Sequence, residues 1–380
     1  MHIEYSDEQI MLRDSADRYL RDNYGFDQRQ AVVKGGEGFS REQWRMFAEL
    51  GWLAMPFAED YGGFGAGAIE TMLLGEMLGR HLVLEPWIET VLLAGGLIEA
   101  GATPALKAQY LTGIAAGEIQ GAFAHGEPGC TGGFAQAATV AVPGTGGFEI
   151  SGRKGVVLNG PAADVLLVTA RTGGEPGSPE GLSLFAVPAG TPGIRRRDYP
   201  TYDGRHASEI TFDRVAVPAE ALVGEAGNAL PLIDAVVDRA LLALCAEAVG
   251  AMDALLSATV DYTRQRKQFG QPIARFQVLR HRMADMFIQG ELTRSLLMAT
   301  AWKLDQGADD ASALVTALKA RVGRAGRFIG QNAIQLHGGI GMTDELSVGH
   351  YFKRLTAIEN LFGARDYHLA RYHRLTHTHN

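Results

Sequence analysis

The spacing of apolar residues changes twice along this 380-residue chain, and the two changes restrict the folds that it can adopt. From Ser6 to about residue 118 the spacing is helical. From about residue 119 to 225 charged residues thin out, glycine and proline accumulate, and short apolar runs between turn residues predict strands. The helical spacing returns beyond residue 226. The sequence therefore predicts an α+β protein with a helical domain over 1–118, a β domain over 119–225 and a second helical bundle over 226–380.

Local signals support this division. Ser6 with Gln9 and Ser40 with Gln43 have the spacing of capping boxes, so we expect a helix to start after each serine. Four apolar runs predict strands at 139–142, 148–150, 165–168 and 182–187. An apolar stripe at three- and four-residue spacing predicts a long helix with one buried face. The stripe consists of Ile233, Val237, Leu241, Leu244, Ala248, Met252 and Leu255.

Composition and charge exclude several classes of protein. A net charge of -8 and a pI near 5.8 argue against nucleic-acid binding, and the basic run from Arg195 to Arg197 is short enough to be a solvated loop. Cys130 and Cys245 are the only cysteines, which provides no disulfide framework and fits a reducing compartment. The N-terminus has no secretory pattern, and no uncharged apolar run reaches the roughly 18 residues that span a bilayer. We expect a cytoplasmic protein that does not enter a membrane.

Three histidines near the C-terminus, His373, His377 and His379, could ligate a divalent ion. Chain termini are usually mobile and lack the fixed geometry that a metal needs. The sequence therefore predicts no metal site.

Several motifs are spread over almost the whole chain. They are Leu50-Gly-Trp-Leu53, Tyr61-Gly-Gly-Phe-Gly65, Glu127-Pro-Gly129, Lys154, Asn159-Gly160, Tyr262-Thr-Arg-Gln-Arg-Lys-Gln-Phe-Gly270, Gln271-Pro-Ile273, Gln335-Leu-His-Gly-Gly-Ile-Gly341, Tyr351-Phe-Lys-Arg354 and Phe362-Gly-Ala364. Together they resemble the flavin-dependent acyl-CoA dehydrogenases. The resemblance implies that the middle domain is a β-barrel or sandwich and that the C-terminal domain is a four-helix bundle.

The resemblance also implies a chemistry. In the family, FAD lies between the β domain and the C-terminal bundle, with the acyl-CoA thioester against its ring. A carboxylate removes the proton alpha to the thioester carbonyl while the beta carbon delivers a hydride to the flavin. The family has Glu-Gly-Thr where this chain has Phe362-Gly-Ala364, so a phenyl ring occupies the position of the base. A phenyl ring accepts no proton, and the sequence assigns no confident catalytic residue.

Four other carboxylates deserve consideration as a base. Glu359 and Asp366 flank Phe362, while Asp238 and Glu247 lie on the long helix that supplies the base in some family members. Gap-free alignment places that second base position at Ala240, which matches none of the four. Glu247 is the best remaining candidate, because its surroundings are apolar and a carboxylate there needs a partner.

The family resemblance divides the flavin contacts into two groups. Contacts made to a neighbouring subunit's flavin, the trans set, are retained: Arg266 for the pyrophosphate, then Gln268, Phe269, Gln335, Gly338 and Gly339. Contacts made to the chain's own flavin, the cis set, are replaced, with Gly126, Gly132, Val156, Leu158, Ala364 and Asp366 standing at the family's polar or aromatic positions. This asymmetry resembles the small subunit of heteromeric acyl-CoA dehydrogenases, such as pimeloyl-CoA dehydrogenase and the actinobacterial steroid side-chain enzymes.

We therefore expect an FAD-dependent acyl-CoA dehydrogenase subunit that is inactive alone. Its expected partners are an acyl-CoA substrate, a second dehydrogenase-like subunit in an α2β2 tetramer, and an electron acceptor such as an electron-transferring flavoprotein. The stripe from Ile233 to Leu255 offers an apolar face for subunit pairing. Two alternatives remain: a self-sufficient dehydrogenase or oxidase with a relocated base, and a non-catalytic acyl-CoA-binding or assembly protein.

Overall fold

The computed structural model describes residues 4–129 and 133–377. Contacts divide the chain into two compact units. The first contains the chain up to Ala31, Gly67–Val83 and the chain from Leu241 onward. The second contains Val32–Ala66 and Leu84–Ala240. Each unit combines stretches that are far apart in the sequence, so the units do not test the predicted domain boundaries at 118 and 225.

Helices occupy both ends of the chain. In chain order they are α1 Asp7–Asn23, α2 Phe26–Gly35, α3 Arg41–Glu49, α4 Ala68–Arg80, a π-helical segment Ile88–Gly95 that continues into α5 Gly96–Gly101, α6 Pro104–Ala115, α7 Leu230–Gln265, α8 Gln277–Asp305, α9 Ala311–His337, α10 Ser347–Asn360 and α11 Arg365–His377. Ser6 and Gln9 form the predicted capping box at α1. The Ser40 side chain accepts a hydrogen bond from the Gln43 N–H at the start of α3. Both predicted helix starts are therefore confirmed.

A mostly antiparallel sheet forms the middle of the sequence. Its strands are β1 Gly121–Ala124, β2 Val140–Gly144, β3 Gly147–Leu158, β4 Val165–Arg171, β5 Leu182–Pro188, β6 Ile194–Pro200, β7 His206–Pro218 and β8 Leu222–Val223. They follow the order β6-β7-β3-β2-β4-β5-β8, and β1 pairs in parallel with β4. The four predicted strands correspond to β2, β3, β4 and β5. Ile150, Phe185 and Ile210 lie in the apolar core that covers this sheet.

The basic run from Arg195 to Arg197 is a strand and not the predicted loop. It lies in β6, which pairs with β7 along one edge of the sheet. The side chains of Arg195 and Arg197 are 72% and 74% exposed. Charged side chains are frequent on edge strands because they discourage pairing with another chain. The prediction of a solvated run was right, and the prediction of a loop was wrong.

The apolar stripe of α7 is buried within the single chain. Ile233, Leu244 and Leu255 have at most 1% of their surface exposed. Hydrophobic spacing shows that a face is buried but not what buries it, so the expectation that this face pairs with another subunit was wrong. Among the described residues, one helix, α7, is long and apolar enough to span a membrane. However, 78% of its apolar window is buried, which is typical of a core helix.

Candidate functional site

A short hairpin presents three residues of the predicted trans set. Strands β9 Lys267–Gln268 and β10 Gln271–Pro272 are joined by Phe269 and Gly270, whose φ angles are 52° and 81°. Positive φ at both turn residues is what a two-residue type I′ hairpin requires, and glycine meets it without a steric penalty. The turn leaves the Phe269 side chain 90% exposed. An aromatic ring held at a turn in this way is available to a ligand or a partner.

Arg266 forms the base of this hairpin. Its backbone N–H donates to the Tyr262 carbonyl and its carbonyl accepts from the Ile273 N–H, both at 2.8 Å. The side chains of Arg266 and Gln268 are exposed. Arg266, Gln268 and Phe269 are therefore brought together on one exposed tip, with a guanidinium that suits a phosphate.

The other predicted trans residues lie where α9 ends. Gln335 is exposed in the last turn of α9, and Gly338 ends the helix with a φ of 64°. A Cβ atom added at Gly338 or Gly339 meets no atom within 4 Å, so this backbone is open to close approach. Tyr262 connects this end to α7, because its ring stacks on His337 at 4.4 Å and its hydroxyl donates to the His337 carbonyl.

Phe362 lies between α10 and α11 with a φ of 55°, a left-handed conformation that is unusual for a bulky residue. Its carbonyl accepts a hydrogen bond from His368 Nε2 at 3.1 Å. The next residue, Gly363, has a φ of 104°. The backbone at the family's base position is thus tightly specified although the side chain has no acid or base chemistry.

Glu247, the best remaining base candidate, has a buried partner. Its two oxygens accept from Arg354 Nε at 2.6 Å and from an Arg354 terminal nitrogen at 2.7 Å, and both side chains are 4% exposed. A buried bidentate pair is costly to separate, because each charge would lose two charge-assisted hydrogen bonds in a buried environment. The backbone of Glu247 also contacts Gly79 of α4, where a Cβ atom would have no room. This carboxylate is a structural element of the first unit.

The remaining carboxylates have other environments. Glu359 accepts two hydrogen bonds from Arg327, at 3.2 and 2.5 Å. Asp366 is exposed in the first turn of α11. Asp238 is buried with 3% of its surface exposed, and Ala240, at the family's second base position, is buried as well.

In the second unit, the predicted cis positions lie near the end of β3. The pairing of β3 with β7 is irregular between Lys154 and Val157. Val156 lies in that irregular stretch with a φ of 52° and a side chain that is 60% exposed. A bulge re-aims a side chain, and this irregularity coincides with the exposed side chain of Val156. The side chains of Val156 and Leu158 offer no hydrogen bond there. Gly132 lies outside the described residues.

A buried ionic network supports the same region. Lys154 Nζ donates to Glu127 at 2.6 Å and to Thr169 at 2.9 Å. The Ala138 N–H donates to the second oxygen of Glu127, while the Thr139 N–H donates to the same oxygen as Lys154. Burial opposes the charge on Glu127, but Lys154 and these donors together lower its pKa. The Lys154–Glu127 pair therefore stabilises the middle-domain motif, whereas Gly126, Val156 and Leu158 nearby carry no polar side chain.

Sequence analysis missed two buried side chains beneath Phe362. Lys319 is 1% exposed, and its Nζ donates to the carbonyls of Glu359 at 3.1 Å and Gly363 at 3.0 Å. Burial lowers the pKa of Lys319 to about 8. The His368 ring, also 1% exposed, contacts the Thr316 hydroxyl through Nδ1 at 2.8 Å. The sequence signal that could have identified Lys319 is a lysine within the otherwise apolar face of α9.

Three family models match the chain: the acyl-CoA dehydrogenase N-terminal domain over residues 6–118, the middle domain over 122–215 and the C-terminal domain over 233–375. The chain belongs to the acyl-CoA dehydrogenase family. It is 30% identical to the probable acyl-CoA dehydrogenase YngJ of Bacillus subtilis over 360 residues, which cover 92% of each chain. The predicted α+β fold, with helical N-terminal and C-terminal parts around a middle sheet, is confirmed.

Solved structures agree with this assignment. A chain of the ChsE4-ChsE5 complex from Mycobacterium tuberculosis superimposes with a TM-score of 0.90 at 26% identity, and 100% of both chains is covered. The FAD complex of PigA superimposes with a TM-score of 0.93 at 26% identity, again over 100% of both chains. FAD is thus the cofactor indicated for this fold, as predicted.

The residues of this chain fit only part of FAD. Arg266 and the open backbone at Gly338 and Gly339 suit a diphosphate and its close approach. Val156 and Leu158 provide no donor or acceptor side chain for the flavin ring. When bound in such an enzyme, the cofactor accepts the hydride from the beta carbon of the substrate. Among these residues, the chemistry therefore suits the diphosphate of FAD and not its ring.

Proposed function

We propose that this chain is the base-lacking subunit of a heteromeric, FAD-dependent acyl-CoA dehydrogenase. The observation that carries the proposal is Phe362. The alpha proton of a thioester is a weak acid, so the reaction needs a base within hydrogen-bond reach and donors for the developing enolate. A phenyl ring meets neither need, and we assign the base to the partner subunit.

The neighbouring carboxylates support this assignment. Glu247 is engaged by Arg354 and Glu359 by Arg327. Using either as a base would require breaking an ion pair, and the pair of Glu247 is buried on both sides. A self-sufficient enzyme with a relocated base is therefore the less favourable reading.

The flavin positions support the same division. Arg266, Gln268 and Phe269 stand exposed on the hairpin tip, where another subunit's flavin can meet them. The positions that would hold this chain's own flavin ring are apolar. We propose that the chain contributes the diphosphate contacts and that the partner contributes the ring contacts, in an α2β2 tetramer with two flavins.

Helix α8 offers exposed apolar side chains for that assembly in place of the buried α7 stripe. Val278, Phe287, Ile288 and Leu292 lie on α8, and between 49% and 63% of each side chain is exposed. Several exposed apolar residues on one helix are typical of an interaction surface. The match to a chain of the ChsE4-ChsE5 complex gives this arrangement a structural precedent. We further propose that the assembly is cytoplasmic and passes electrons to an electron-transferring flavoprotein, as the family resemblance implies.

Co-purification from the native host tests the proposal. We expect a second dehydrogenase-like chain in equal amount, a visible flavin spectrum that bleaches with acyl-CoA, and two flavins per four chains. The chain expressed alone should be poor in flavin and inactive. A fully flavinated, active homotetramer without a second chain would overturn the proposal.

A further inference from the structure

The loop at the family's base position is fixed by two buried side chains from other helices. Residues 361–364 connect α10 to α11, and Phe362 and Gly363 both have positive φ. A bulky residue adopts this conformation only where its surroundings enforce it. The loop therefore has a specified shape that its own sequence does not favour.

Lys319 enforces that shape at two points. It reaches from α9 to the carbonyl of Glu359, in the last turn of α10, and to the carbonyl of Gly363 in the loop. Carbonyls in the last turn of a helix lack intrahelical partners, and a cation there is favourable. A buried ammonium is costly unless it is hydrogen-bonded, so these two hydrogen bonds stabilise the position of Lys319 as well as that of the loop.

His368 provides the third anchor. Burial, the largest cause, and the nearby charge of Lys319 lower the pKa of His368 to about 3, so the ring is neutral at physiological pH. The Phe362 carbonyl only accepts, so Nε2 of His368 carries the proton and donates it. Nδ1 of the neutral ring then accepts from Thr316 of α9. The bond to Thr316 thus fixes the orientation of the ring that holds Phe362.

We propose that Lys319 and His368 are positioning residues that hold the base-free loop in one conformation, and that the assembled flavoenzyme depends on this shape. The inference rests on the proposed function, because a loop without a base has a role only as a surface within the heteromer. Two buried polar side chains direct their hydrogen bonds to the carbonyls of this loop and the helix end before it, which a freely adaptable connection would not need.

Hydrogen exchange of the isolated chain tests the anchoring itself. The Leu361 and His368 amides bracket the loop and donate to Ala357 and Ala364. Lys319→Met and His368→Phe should each accelerate exchange at these two amides by roughly tenfold, whereas His368→Gln, which keeps an N–H donor, should have a smaller effect. Lys303→Met, at a partly exposed lysine of α8, is the matched control. Unchanged exchange in both Lys319→Met and His368→Phe would overturn the anchoring.

The assembled enzyme tests the functional half. Co-expressed with the partner, Lys319→Met and His368→Phe should lower flavin per tetramer or kcat, with recovery in His368→Gln and no change in Lys303→Met. Faster exchange together with wild-type flavin content and kcat would overturn the dependence of the enzyme on the loop. If no partner exists, the proposed function fails, and the exchange measurement still decides whether Lys319 and His368 hold the loop.

Discussion

The hairpin tip in the first unit and the end of β3 in the second unit both present side chains through residues with positive φ, but they differ in what they present. The hairpin exposes Phe269 next to a guanidinium and an amide. The β3 region keeps its irregular backbone and its buried Lys154–Glu127 pair, yet it exposes valine. Both regions therefore have an unusual backbone conformation, but only the hairpin presents polar groups that suit a cofactor.

The comparison would fail if the first unit contained a working base. Glu247 is the candidate, and Arg354→Met, which removes its ion-pair partner Arg354, has the largest expected effect. Removing the Arg354 guanidinium from the buried Glu247 carboxylate should lower the free energy of unfolding by about 3–5 kcal/mol. Denaturant unfolding of the isolated chain measures the loss. Glu247→Gln in the assembled enzyme is the companion variant, and a loss of the chemical step without a loss of stability would identify Glu247 as the base.

Removing the charge from the hairpin tip should produce the next largest effect. Loss of a hydrogen bond between a charged group and a diphosphate is worth about 1.5–3 kcal/mol, so Arg266→Ala should weaken flavin binding in the assembled enzyme by roughly ten- to a hundredfold. Flavin absorbance per protein after dialysis measures it. Arg264→Ala, at an exposed arginine two residues earlier, is the control. Equal flavin retention in the two variants would show that the hairpin does not bind the cofactor.

The pH dependence of stability should reveal Lys319. Its native pKa of about 8 lies below its ordinary value of 10.5, so between these values the unfolded chain binds more protons than the native chain. The free energy of unfolding contributed by this group therefore rises with pH. Wild type should gain stability relative to Lys319→Met between about pH 8 and about pH 10.5. A difference that stays constant over this range, as expected for Lys303→Met, would contradict the depressed pKa.

The smallest expected effect comes from restoring the missing carboxylate. Phe362→Glu should give the isolated chain no substantial activity, because Val156 and Leu158 still offer nothing to the flavin ring. Turnover with an acyl-CoA and an artificial electron acceptor measures it. Adding Val156→Trp and Leu158→Thr to Phe362→Glu should raise flavin content above that of the single variant. Robust turnover by Phe362→Glu alone would show that the β3 region binds the ring after all.

Sequence predicted those parts of the molecule that depend on local chemistry. Ser6 with Gln9 fixes the start of α1 through bonds three residues apart, and the apolar run of β5 identifies a strand by itself. Sequence failed where distant groups decide the outcome. The α7 stripe was known to be buried but not against what, and Lys319 acquires its role from carbonyls 40 and 44 residues away.

The candidate site divides in the same way. Motif spacing was sufficient to place Arg266, Gln268 and Phe269 in one group, because they lie within four residues of one another at a hairpin. It did not reveal that Glu247 is bound to Arg354, which lies 107 residues further along the chain. It also gave no sign of the left-handed φ of Phe362, since the anchors of that loop come from α9 and α11.

The arginines of β6 have a consequence for handling the purified protein. An edge strand offers unpaired backbone groups that can recruit the same strand of another molecule, and β6 carries Arg195, Arg196 and Arg197 along that edge. Arg195 and Arg197 form exposed ion pairs with Asp213 and Glu209 of β7, and added salt screens such pairs within about 10 Å at 0.1 M. These pairs hold the charged side chains along the edge, so association of concentrated protein through β6 should increase as salt is added, contrary to the usual practice of adding salt to keep a protein in solution.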